Sequence, residues 1–153
     1  MKTLLTGVAG APLALWVSLA IATPGTAVQG QPLARVTVHD AVDMHLKGPF
    51  DTLIQKVTIG PGGDTGWHSH PGPHVIAVTE GILTVYAADD ASCTPHRYQA
   101  GTGLYSRGAG DVRNERNEGA VSLVLYVTYF IPPGSTPRTD ATAKPGNCSA
   151  RGF

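Results

Sequence analysis

Beyond its first two dozen residues, the 153-residue chain has no segment with a long helical hydrophobic period. This lack argues against a helical bundle. Charge is also scarce, with 11 Lys and Arg balanced by 11 Asp and Glu. No basic patch or stripe exists, so nucleic acid is not an expected partner. Cysteine is nearly absent, at two residues, so a disulfide-dense miniprotein is excluded. There is no internal repeat and no sign of a second domain. What the chain has is turn chemistry. Its 19 glycines and 12 prolines punctuate short β-rich runs, the pattern of an all-β fold. The length is enough to bury a core without help from metals or bridges.

The N-terminus reads as an export leader, residues 1–27. Lys2 is a minimal positive region, Leu13 to Ala22 is apolar, and Gly25 and Ala27 occupy the −3 and −1 positions of a cleavage site. The rival is an uncleaved anchor, since Thr3 to Ala22 is long enough to span a bilayer, though Gly7, Gly10 and Pro12 dilute it. With cleavage, the product is secreted, or periplasmic or otherwise in the cell envelope. One domain, 28–153, then remains, with a barrel core of about 34–132 and a Pro/Gly-rich tail of 133–153. In an exported protein an isolated pair, Cys93 and Cys148, reads as a disulfide tying the tail to the body. Two free buried thiols are the alternative.

Several runs alternate with period two. Arg35 to Val38 is a short candidate strand. Leu53, Gln55, Val57 and Ile59 share one face of another. His74 to Thr79 and Ile82 to Tyr86 flank Glu80-Gly81 and predict a hairpin. Val121 to Ile131 is apolar on both faces and predicts a central strand. Met44 to Lys47 fits strand or loop equally.

Three of the six histidines, His68, His70 and His74, fall within seven residues. On an extended chain His68 and His70 project to one side, about 7 Å apart. Pro71-Gly72-Pro73 then turns His74 onto the next strand. A lone histidine would be an ordinary surface residue. Three this close predict a site for a divalent transition metal. Trp67 and Tyr86 suit either a pocket lining or core packing.

The stretch resembles the first motif of the cupin superfamily, G-x5-H-x-H-x3-E-x6-G. Gly62, His68, His70 and Gly81 fall on their positions, and His74 stands in the glutamate slot. Gly101 to Asn117 resembles the second motif, G-x5-P-x-G-x2-H-x3-N, in outline. Gly110 and Asn117 match, Gly108 replaces the proline, and Gly101 is one residue early. Arg113 stands where the family has its fourth ligand, a histidine. The resemblance covers about residues 34–132. It implies a small single-domain, cupin 2-type double-stranded β-helix (jelly-roll) barrel, all-β, that pairs into a homodimer.

Arg113 cannot ligate a metal, because a guanidinium stays protonated. Asp111 shares its strand parity. Either Asp111 pairs with Arg113 or supplies a ligand oxygen while His68, His70 and His74 hold Fe, Mn, Zn, Ni or Cu, or the site has decayed and Arg113 binds an anion. The first picture implies a metal-dependent oxygenase or isomerase acting on a small molecule. The second implies a non-catalytic ligand-binding or sensing barrel. A structural protein of the cell envelope is a third reading. No general base stands out, and Glu80 reads as a solvated turn residue.

Overall fold

Alternation along two nine-residue strands builds the longest ladder of the molecule. In the computed structural model, which describes residues 26–141 and Cys148, β2 (Asp51–Ile59) pairs antiparallel with β9 (Leu123–Ile131) in unbroken register from Asp51↔Ile131 to Ile59↔Leu123. The odd residues of β9, from Leu123 to Ile131, are all buried and face the core. From β2, Ile59 is buried with them, and Leu53 and Val57 pack against them.

The remaining strands are β1 (Thr37–Val38), β3 (His68–Ser69), β4 (His74–Glu80), β5 (Ile82–Ala87), β6 (His96–Gln99), β7 (Thr102–Ser106), β8 (Arg113–Arg116) and β10 (Thr139–Asp140). They complete two five-stranded sheets, ordered β1-β7-β4-β9-β2 and β10-β3-β8-β5-β6. Leu83 and Val85 of the second sheet pack on Ile76, Val78, Leu104 and Leu125 of the first, so the core lies between the sheets. The fold is the all-β, double-stranded β-helix expected.

The expected hairpin at Glu80-Gly81 does not form. β4 pairs with β7 and β9, whereas β5 pairs with β6 and β8 in the other sheet. A single residue, Gly81, separates the strands, too few for a two-residue hairpin turn. The chain turns a corner between sheets instead. Gly81 has φ +75°, and an added Cβ would meet the Ser122 carbonyl oxygen at 2.9 Å. A register shift between Val78 and Glu80 re-aims the strand before the corner.

The β9 strand begins at Leu123 rather than Val121, and it is central, between β4 and β2. Residues 44–47 form a loop. The tail contributes β10, which forms an edge of the second sheet. Cys93 and Cys148 are disulfide-bonded, and Trp67 and Tyr86 pack against them in a second apolar cluster. The chain divides into two units, Met1–Gln31 and Pro32–Phe153. Of the first unit, residues 26–31 are exposed and lack helix or strand. The rest of the expected leader lies outside the described residues. Among the described residues, no helix is long and apolar enough to cross a membrane.

Candidate metal centre

His68 opens the second sheet's short β3, and His70 lies just past its end. Each ring is oriented by a backbone carbonyl. His68 Nδ1 donates to Gly66 O at 2.9 Å, and His70 Nδ1 donates to Pro137 O at 2.6 Å. Carbonyl oxygens only accept, so both Nδ1 atoms carry hydrogen. In the neutral rings both Nε2 atoms are then bare lone pairs, and they face each other at 3.1 Å. Such a pair repels unless an electrophile sits between them.

The carboxylate of this set is Glu115, on β8. Thr65 and Glu115 lock their segments together: Thr65 N–H donates to Glu115 O at 2.9 Å, and Glu115 N–H donates to Thr65 Oγ1 at 3.0 Å. Glu115 Oε2 lies 4.0 Å from His68 Nε2. One ligand atom each from His68, His70 and Glu115 lie within 4.8 Å of one another. Glu115 is only 5 % exposed, and its Oε1 has no hydrogen-bond partner. Burial raises its pKa and Arg113 and Arg138 oppose that rise.

His74, expected as the third ligand, lies outside this compact set. It starts β4 in the facing sheet, where it pairs with Ser106 and Tyr129. Its ring is nonetheless 4.2 Å from that of His70, centroid to centroid. It is fully buried, and neither ring nitrogen makes a well-formed hydrogen bond, although the Gly72 backbone lies close enough to act on the ring. Burial pushes its pKa down to about 3 and that of His68 to about 4, and lowers His70 as well. All three imidazoles are therefore neutral at pH 7, the state that ligates metal.

Arg113 and Asp111 take the paired arrangement. Arg113 Nη2 donates to Asp111 Oδ2 at 3.3 Å and to Ser106 Oγ at 2.6 Å. Both residues line a cavity of ≈ 380 Å³ that shares no lining residue with the ≈ 230 Å³ cavity around His68, His70 and Glu115. Gly108, in the motif's proline slot, has φ +87°, which proline cannot adopt. Its added Cβ would also strike the Gly72 carbonyl. Asn117 is structural. Its amide donates to Ile59 O and Val121 O, both at 2.8 Å, and its Oδ1 accepts from Gly119 N–H at 3.0 Å.

The residue that sequence reasoning missed is Glu115. The signal was parity: it lies two residues beyond the Arg113 slot on the same strand face. A donor set of two or three imidazoles and a carboxylate, with a bare nitrogen pair and an unpartnered carboxylate oxygen, suits a divalent transition metal.

No family model matches the chain, and no curated protein matches it. Solved structures do. A double-stranded β-helix protein from Klebsiella pneumoniae is 18% identical, aligned over 61% of this chain and 76% of its own, with TM-score 0.49. An RmlC-like cupin from Methanocaldococcus jannaschii is 18% identical over 57% and 76%, with TM-score 0.48. The polyketide cyclase RemF from Streptomyces resistomycificus is 16% identical over 65% and 68%, with TM-score 0.49. These likenesses are of fold alone; by its own strand order the chain is an all-β double-stranded β-helix of two five-stranded sheets.

Proposed function

We propose that this protein is an exported metal-dependent enzyme acting on a small molecule. His68, His70 and Glu115 would hold one divalent transition metal, with His74 beside them as a further imidazole. The observation that carries this reading is the pair of unprotonated Nε2 atoms facing each other at 3.1 Å. Two nitrogens at that spacing can share an ion about 2.1 Å from each. Two histidines and a carboxylate with open positions are the donor set of non-haem iron oxygenases. A metal held there would supply a Lewis acid.

The chain's own residues do the rest. The carbonyls of Gly66 and Pro137 fix the tautomers of His68 and His70. Val57, Leu125 and Val127 give the cavity an apolar wall, while Gln55 and Thr65 offer polar contacts. Tyr129, its ring 5.3 Å from that of His70, is pushed up to about 12 by burial and by Glu115, so it stays a phenol.

Elemental analysis of protein purified without chelator tests the reading. About one transition metal per chain is expected, lost in His70→Ala and in Glu115→Gln. Sub-stoichiometric metal that His70→Ala leaves unaltered would overturn it. Export is supported by the leader-like residues 1–27. N-terminal sequencing of the mature protein should begin near Val28.

A further inference from the structure

The second sheet ends in a strap from the tail. β10 pairs antiparallel with β3, setting Thr139 opposite Ser69 and Asp140 opposite His68. Ala141 N–H donates to Trp67 O at 2.9 Å. The strap therefore lies along the metal-site residues, and it brings a cation with it. Arg138 lines the same cavity as His68, His70 and Glu115, and its charge acts on all three. Its Nη2 donates to Thr65 O at 2.6 Å, and its Nε donates to Asp140. These two bonds aim the guanidinium and leave further N–H donors. The side chain is 38 % exposed, which puts it at the rim between cavity and solvent.

We propose that Arg138 is the anion-recognition residue of this pocket, and that the substrate is a short-chain carboxylate. The inference rests on the metal reading above. A dication, one carboxylate from Glu115 and the Arg138 guanidinium leave the cavity net positive. Asp140 offsets this only in part, because it is 75 % exposed and screened by water. Arg113, the other nearby cation, also acts on these residues, but it is paired with Asp111 and lines the other cavity rather than this one. A carboxylate is the planar anion that a guanidinium grips best. The cavity of ≈ 230 Å³ and its apolar wall of Val57, Leu125 and Val127 suit a short aliphatic body.

Calorimetric titration of zinc-loaded protein with isobutyrate and with isobutyramide, its neutral isostere, tests the proposal, alongside elemental analysis of each variant. The wild type should prefer isobutyrate. Arg138→Gln should weaken isobutyrate about tenfold or more, leave isobutyramide and zinc stoichiometry unchanged, and Arg138→Lys should recover part of the loss. Full zinc with undiminished isobutyrate affinity in Arg138→Gln would overturn this inference and leave the metal reading standing. Failure of the wild type to hold zinc would overturn both. Zinc lost in both Arg138 variants would make the residue a fastener of the strap and overturn its recognition role.

Discussion

The two sheets are built on different plans. The first contains the nine-residue β2–β9 ladder in unbroken register, and half of the buried aliphatic core hangs from it. The second is assembled from strands of two to six residues, β3, β5, β6, β8 and β10. Yet it is the second that supplies His68 and Glu115, and His70 follows directly after β3. Long regular strands give cooperative burial but place side chains only at fixed intervals. Short strands let carbonyls from turns and from the tail reach the ligating rings. The proposed site sits on the half with less ladder of its own, and the Cys93–Cys148 disulfide and buried polar bonds compensate there.

The disulfide is the largest single test of that contrast. Cys93 and Cys148 close a 55-residue separation, which the chain-entropy model values at about 4 kcal/mol. Replacing both by serine should lower stability by about that amount in chemical denaturation and increase hydrogen exchange in the second sheet first. A loss spread evenly over both sheets would break the contrast. Leu123→Ala, at a fully buried position on β9, should cost about 3 kcal/mol while metal stoichiometry stays at the wild-type value. Asn117→Ala should cost about 2 kcal/mol, because its amide joins the end of β2 to the approach of β9. Rescue by Asp at that position should be poor, since a carboxylate cannot donate to two carbonyls.

The last test is an acid slope. His68 and His74 titrate near 4 and 3 in the folded, metal-free protein, against 6.5 for a free imidazole. Below about pH 6.5 the unfolded chain therefore takes up protons that the native state refuses. Each histidine should remove up to about 1.4 kcal/mol per pH unit until its native pKa is reached. Glu115, raised by burial, opposes this trend between its unfolded and folded values. Denaturation at pH 7, 6 and 5 should show falling stability, with a shallower fall in His74→Phe. Equal slopes in the two proteins would remove His74 from the account.

Much of this was legible from residues alone. Alternation in 53–59 and 121–131 gave the two long strands, though not their pairing, and His-x-His gave the two inward rings. The parity of Asp111 and Arg113 left pairing and ligation both open, and the two are paired at 3.3 Å. Three features were not legible. A glycine between two β-rich runs looks the same whether the chain folds back or crosses to another sheet, so the corner at Gly81 read as a hairpin. Glu115 was hidden because Arg113 occupied the slot where a ligand was expected. The strap had no periodic signal, since β10 has only two residues and its partners are distant in sequence.

The hydrogen bond from His70 to Pro137 spans 67 positions. His68, by contrast, is oriented by Gly66, two residues away. Contacts of long span close late, after local pairing has met part of the entropic cost. The two imidazoles thus become competent at different times, and a chain whose strap has not docked holds one oriented ring rather than two. Under the metal reading, uptake of an ion would be a timestamp for the last stage of folding, and its rate should follow docking of the tail, not formation of the barrel.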